Sequence, residues 1–426
     1  MTKKLTRSVV GLGAVVALVA TLGACSSPGG DGGEGGVTDL TFTWWGDAKR
    51  ADITNEALAI FNKEHPDIKV TGTFSDWNSY WQKRATEAAG GGLPDVIQMD
   101  LSYIREYGQR GVLLDLSPYL DKGIDMSGFN PTLLPSGQIG DATYGVPTST
   151  TDPAFFYNPA VLEATGVELP QADQSWADFK KFIEDVTAAG GGSYYGADDY
   201  TGSFKLFTMY LLQNGKKAFT DDGELGFTKD DMAAWWHSVD ELRAEKAFFP
   251  PERATEVQPN SPFQSGEVAA GFAWSNFLAS YTESTKQEQL DVLPIPFDDP
   301  SDSGMYTNAA MLMSAAKTTK HPEAVATFID FWVNSPEVSK LFGTTRGMPA
   351  TESAAAGTEF NAIDTQVQQY QESIADLITP AGAPPAIGFG SLETEFINLN
   401  SAINYGTVSV EDAVDQWFAK AGATQQ

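Results

Sequence analysis

The stretch ALAIFNKEHPDIKVTGTF, residues 57–74, sets two periodicities back to back. Ala57, Ile60 and Phe61 continue a helical stripe begun at Ile53, and the spacing predicts a helix over 50–64. His65-Pro66 stops it, because a residue before proline is pushed out of the helical region. IKVTGTF (68–74) then reads as a strand. Upstream, LTFTW (40–44) alternates like a strand; downstream, 80–89 reads as a helix ended by Gly90-Gly91-Gly92. PDVIQMD (94–100) is an apolar strand ending on Asp100. This β-α-β-α-β order implies an α/β fold with a mostly parallel sheet and helices on its faces. Ligands of such sheets sit beyond the carboxyl ends of the strands. Trp44 to Asp47, Asp76-Trp77 and Gln98 to Asp100 all fall at such ends.

A second unit begins after YGVPTSTTDPAFFYN (144–158). Ser175 caps a helix whose face carries Trp176, Phe179, Phe182, Ile183 and Val186. Residues 204–214 and 230–246 are further helices, and LDVLPIPF (290–297) is an extended crossing segment. His321-Pro322 and Ser335-Pro336 open helices, and Ser409 with Asp412 forms a capping box for the last one.

The first 24 residues read as a signal peptide: Lys3, Lys4 and Arg7, then an apolar run ending in Leu22-Gly23-Ala24-Cys25. That ending is a lipobox, with Cys25 the lipid-bearing first residue of the mature protein. Cys25 is the chain's single cysteine, so disulfides and cysteine-based zinc sites are excluded. Residues 25–37 form a Gly-rich tether. Its formal GxGxxG (Gly30, Gly32, Gly35) has no strand before it and no helix after it, so it is no nucleotide motif. The full chain has a net charge of −29, and loss of the leader makes it more acidic still. Such acidity argues against nucleic acid and anionic lipid surfaces as partners. Ten Trp, 14 Tyr and 25 Phe exceed what a minimal core needs.

Several segments, taken in order, resemble the family 1 extracellular solute-binding proteins of ABC importers, the family of maltose-binding protein. They are ALAIFNKEHPDIKV (57–70), GGLPDVIQMDLSYIREYGQRGVLLDLSPYL (91–120), YGVPTSTTDPAFFYNPAVLEATGVELP (144–170), FQSGEVAAGFAWSN (263–276), HPEAVATFIDFWVNSPE (321–337) and RGMPA (346–350). The resemblance spans about residues 38 to 420. It implies a periplasmic-binding-protein-like fold, with two α/β lobes joined by a multi-crossing hinge and ligand held in the cleft between them. The crossings are expected near 147–155, 292–298 and 334–338. Lobe 1 would then be 38–149 plus 298–334, and lobe 2 would be 150–297 plus 335–426.

A sugar offers hydroxyls that want directional hydrogen bonds and a C–H face that packs on flat rings. A pocket for it therefore needs aromatic platforms beside Asp, Asn, Gln or Arg. WWGDAKR (44–50) supplies that mixture at a strand end, with Trp44, Trp45 and Asp47 as candidates. Trp44 also alternates with Phe42, which suits a core position. The resemblance adds Asp76, Trp77, Gln98 and Asp100, the last also placed to cap a helix. In the first crossing it adds Thr151 and Asp152; a carboxylate of maltose-binding protein is replaced near Thr151, which argues against maltose. From the second lobe come Tyr200, Trp274 and Asn276, with Phe272 an alternative register. Asn308 follows the second crossing and Arg346 precedes the GMP turn. The loop GFGSLETEF (388–396) is a rim element.

The expected function is a lipid-anchored carbohydrate-binding protein that delivers its sugar, an oligosaccharide by the aromatic count, to permease subunits of an ABC importer. It would act as a monomer on the outer face of a Gram-positive cell membrane, touching that membrane through its N-terminal lipid alone. No catalysis, cofactor or metal is expected: the sequence has no GxSxG, no HExxH and no EF-hand spacing, and His65, His237 and His321 are scattered. The alternatives are a glycoside-degrading enzyme, or a binding protein for peptides or another solute.

Overall fold

The computed structural model describes residues 36–46, 48–129, 131–258, 260–379 and 384–424. The signal peptide, Cys25, most of the tether, and Asp47 lie outside the described residues. In chain order the strands are β1 (Thr38–Trp45), β2 (Ile68–Ser75), β3 (Val96–Met99), β4 (Gln138–Ile139), β5 (Ala142–Thr143), β6 (Val146–Thr151), β7 (Pro153–Tyr157), β8 (Tyr195–Ala197), β9 (Val268–Trp274), β10 (Asp291–Leu293), β11 (Asn308–Ala315) and β12 (Met348–Pro349). The first helices are α1 (Ala48–Glu64), α2 (Trp77–Gly90) and α3 (Leu101–Gln109).

One sheet has the order β12-β6-β11-β3-β1-β2. β1 lies parallel to β2 and β3, as the β-α-β-α-β reading requires. β11 runs antiparallel to both β3 and β6, and β12 antiparallel to β6, so the expected mostly parallel sheet is in fact mixed. The cause is topological. β11 arrives from the second sheet by an irregular crossing and not by a helical crossover, and only the crossover imposes parallel pairing.

Leu40, Phe42 and Trp44 point to one face of β1 and pack with Leu58 and Phe61 of α1 and with Phe328 and Trp332 of the helix Pro322–Asn334. Gly72 of β2 belongs to this layer: a Cβ there would stand 2.5 Å from the Trp44 ring. On the opposite face lies a second cluster, with Trp45 against Tyr80 and Trp81 of α2 and Tyr107 of α3 nearby.

The other sheet has the order β10-β7-β9-β8. Its core is aromatic, including Phe155, Phe156, Phe179, Phe204, Phe207, Trp235, Trp236, Phe396 and Trp417. Ser175 caps the helix Trp176–Gly190, and with Asp178 it closes a capping box. The single helix expected over 230–246 is two, Lys229–His237 and Asp240–Ala244.

Among the described residues the chain passes between the sheets three times. β6 and β7 are separated by Asp152 alone, and β10 and β11 by residues 294–307. The third passage is later than expected. Val338, Phe342 and Ala350 remain in the first core and β12 pairs with β6, whereas Phe360 and Val367 pack in the second core. The crossing therefore follows Ala350 and precedes Phe360, not 334–338. Ser335-Pro336 opens a helix, Pro336–Phe342, whose apolar face turns back onto the first sheet.

Candidate functional site

Strand alternation sorts the two tryptophans. Trp44 is 1% exposed and stacks on Phe42 with ring centroids 5.2 Å apart, so it is core and not a ligand platform. Trp45, on the other face, is half-buried and meets Trp77 edge-on at 5.0 Å. Trp77 is 40% exposed, and Tyr103 stacks on Trp81 beside it at 3.7 Å. These rings form an aromatic wall at the carboxyl ends of β1 and β2.

The carboxylates at those ends cap helices. Asp76 accepts from the Ser79 N–H at 3.0 Å and Asp100 from the Ser102 N–H at 2.8 Å. Asp100 acts further afield through its charge, which reaches Tyr103 and Lys205. Burial and the Asp100 charge push the Tyr103 phenol up to about 12. Gln98 is buried inside β3, away from the cavities described below, which corrects its placement as a ligand contact. A central strand covered on both faces leaves its side chain no route to solvent.

Thr151 is buried at the first crossing, paired in register with Asn308. Asp152 is 2% exposed and already satisfied. It accepts from the Thr307 hydroxyl at 2.6 Å and from the Gln371 amide, and its N–H donates to the Ser275 hydroxyl at 3.1 Å. Burial pushes its carboxyl up, against the pull of Thr307 and Gln371. Asp152 thus ties the first crossing to the second and to the helix Ala362–Ser373 after the third. It is a hinge knot rather than an open ligand contact. Arg346 is 6% exposed, its guanidinium 3.7 Å from the Phe342 ring centroid; burial, with Arg50 nearby, lowers its pKa to about 9. It is held as a structural cation–π contact, which replaces the expected ligand role. Trp274 and Asn276 are half-buried at the end of β9, Trp274 lying 6.0 Å from Tyr306.

Two large cavities open at this end of the sheets. The first, about 930 Å³, lies at the carboxyl ends of β8 and β9 and is walled by Asp198, Tyr200, Phe272, Glu393 and Asn400 among others. The second, about 1010 Å³, lies between the lobes. Arg105, Gln138 and Ile139 come to it from the first lobe, Lys205, Phe219 and Phe389 from the second, and Asn308 from the hinge. Lys205 and Glu393 form an ion pair at 3.7 Å, so one ion pair borders both cavities. Burial disfavours the Lys205 ammonium, but the Glu393 and Asp100 charges outweigh it and raise its pKa. Tyr200 lines the first cavity and Asn308 the second; the segment 388–396, read as a loop, is helical from Phe389 and contributes Phe389 and Glu393 to their walls.

Sequence reasoning missed Asp198, Lys205 and Arg105, and named Glu393 only as part of the 388–396 rim segment. Arg105 of α3 is 4% exposed, and it reaches across to the second lobe. Its guanidinium donates to the carbonyls of Pro384 at 2.9 Å, Pro385 at 3.0 Å and Asp221 at 3.2 Å. Its one sequence signal is helical spacing that turns it onto the buried face of α3. Among the described residues no group of three or more His, Cys, Asp or Glu side chains could hold a metal ion. No described helix is long and apolar enough to cross a membrane.

The family model described as bacterial extracellular solute-binding protein matches residues 56–369. The chain is 23% identical over 338 residues, 74% of each chain, to the sn-glycerol-3-phosphate-binding periplasmic protein of Pectobacterium atrosepticum. Other curated relatives, binding proteins of Brucella, are matched over 44% of their own length. A solved family 1 extracellular solute-binding protein from Alicyclobacillus acidocaldarius is 28% identical, with a TM-score of 0.69 over 92% of this chain and 99% of that one. An oligogalacturonide-binding protein of Yersinia enterocolitica, solved with saturated digalacturonic acid, shares the fold at a TM-score of 0.77 and 20% identity, over 91% of this chain and 100% of that one.

Proposed function

We propose that this chain, which belongs to the bacterial extracellular solute-binding protein family, captures an oligosaccharide outside the cell membrane and hands it to the permease of an ABC importer. The observation that carries the reading is the pair of cavities at the strand ends, of about 930 and 1010 Å³. Each lies near the top of the size range of small-molecule sites, and their walls alternate rings with carboxylates and amides. That is the chemistry a sugar requires, with flat faces for its C–H side and fixed acceptors for its hydroxyls.

In this reading the Asp152 knot is the pivot and the cavities are the ligand space. The lobes are 37–151 with 308–358, and 153–293 with 361–424. Tyr200 and Asn308 line the cavities, and we take Trp45, Trp77, Asp100, Trp274 and Asn276 as ligand contacts with them, Asp47 and Asp76 being further candidates from the first lobe. The chain binds without catalysis, as a monomer held at the outer face of a Gram-positive membrane by lipid on Cys25. The permease would read a surface assembled from both lobes on closure.

The test is a thermal-shift screen against mono- and oligosaccharides, with peptides and amino acids as controls. Ligand at 100 times its dissociation constant adds about 2.7 kcal/mol to stability. A midpoint raised by a saccharide that is recovered intact supports the proposal. A shift with peptides alone, or consumption of the sugar, refutes it.

A further inference from the structure

The wall of the first cavity carries a carboxylate without a counter-charge and a hydroxyl without a hydrogen-bond partner. Asp198 follows β8 directly and lines the cavity. Its half-buried carboxylate takes part in no ion pair among the described residues; its own backbone N–H is the hydrogen bond acting on it, and the neighbouring charge is Asp199, of like sign. Tyr200 lines the same cavity at 4% exposure, and its hydroxyl has no hydrogen-bond partner among the described residues. Buried polar groups in native folds are nearly all paired, so an unpaired hydroxyl on a cavity-lining residue points to a partner supplied from the cavity.

The remaining charges on this wall are spoken for. Arg243 is bound to Asp199 at 2.8 Å, and Glu393 to Lys205 at 3.7 Å. Lys246 and Glu252 are exposed and opposite in sign. What remains is the single, half-buried negative charge of Asp198, with Tyr200 and Phe272 on the same cavity wall.

Resting on the saccharide reading above, we infer that this cavity admits uncharged or amine-bearing saccharides and rejects acidic ones. Asp198 accepts from a ligand hydroxyl or ammonium, and the Tyr200 hydroxyl supplies the adjacent contact. An acidic ligand would place a second negative charge beside Asp198, where poor screening by water makes repulsion strong. The chain's net charge of −29 adds repulsion at longer range. An ammonium would gain a charge-assisted bond. The fold does not set this sign of selection. The Pectobacterium relative is named for a phosphate ester and the Yersinia structure holds a diuronate, so the choice lies with the residues of this wall.

The experiment is calorimetric titration of the protein with neutral trisaccharides (maltotriose, cellotriose), a glucosamine trimer, trigalacturonate and sn-glycerol 3-phosphate. The expected result is binding by neutral or amine-bearing members, with acidic ones at least about 100-fold weaker. Asp198→Asn should cost amine binding about tenfold relative to neutral binding and narrow the gap to the acids. Tyr200→Phe, which removes a hydroxyl the free protein leaves unpaired, should keep the melting temperature and weaken binding severalfold; it guards against misfolding of the Asp198 variant. An acidic ligand that binds as tightly as a neutral one, or an Asp198→Asn protein with unchanged preference, overturns the inference and leaves the saccharide reading intact. Failure of every saccharide to bind overturns both.

Discussion

Arg105→Ala tests whether one side chain holds the lobes together. In the structure the Arg105 guanidinium donates to carbonyls on two separate segments of the second lobe, Pro384-Pro385 and Asp221. Burial lowers its pKa, and the charges of Asp222 and Asp221 oppose that shift. When the lobes part, arginine and carbonyls regain water, so only the net worth of each contact counts. Taking about 1.5 kcal/mol for a hydrogen bond from a charged donor to each segment, the clasp contributes about 3 kcal/mol to the apposed state. That is about a 150-fold change in the ratio of apposed to parted molecules. Ligand affinity falls by the same factor if the free protein is mostly parted, and by less if it is mostly apposed. Arg105→Ala should therefore weaken binding by up to about 150-fold, and expand the free protein in small-angle scattering. Arg105→Lys keeps the charge but loses the planar fork, and should recover only part of the effect. Affinity within twofold of the parent together with unchanged scattering would refute the clasp.

Trp44→Ala should destabilise the fold by about 3–5 kcal/mol, as large core truncations do, while Trp77→Ala should leave the melting temperature within a few degrees and weaken saccharide binding at least about tenfold. The reverse pattern would show that the two faces of β1 have been misassigned. Asp152→Ala strands the Thr307 and Gln371 donors and should cost about 2–4 kcal/mol in denaturant unfolding; Asp152→Asn, which can still accept, should cost less, and equal losses would deny the knot its acceptor role. Asp198 gives a pH signature. Its folded pKa of about 6 lies above the ordinary value of 3.8, so its ionisation costs stability, a cost that grows from the lower value and is complete above about 6. Asp199 and Tyr281 interact with it electrostatically, and Arg243, Lys246 and Glu252 share its cavity; none of them reverses the shift. The ligand-free Asp198→Asn protein should melt higher than the parent at pH 7.5, with the gain shrinking toward pH 4.5. A gain that does not depend on pH would refute the raised carboxyl.

What the sequence determined by itself was local and periodic. The stripe through Ile53, Ala57 and Phe61 made α1, and His65-Pro66 ended it before Ile68 began β2. The period of two in LTFTWW meant that Trp44 and Trp45 had to face opposite sides of their sheet, and the burial of Phe42 and Trp44 together follows from it. Capping chemistry was legible for the same reason: the oxygens of Asp100 and Ser175 reach backbone only two or three residues away. Tertiary structure decided the rest. The third crossing depended on where the apolar face of Pro336–Phe342 found a partner, and either sheet could have offered one. Arg105 and Pro384 are 279 residues apart, and Lys205 meets Glu393 from far along the chain as well. In a list of 83 charged residues nothing marks these few, because a charge on a helix reads the same whether it faces water or another lobe. Only the packing of two sheets around a shared hinge brings α3, the helix Phe389–Asn404 and the turn after β8 to one place, and there burial gives each charge its meaning.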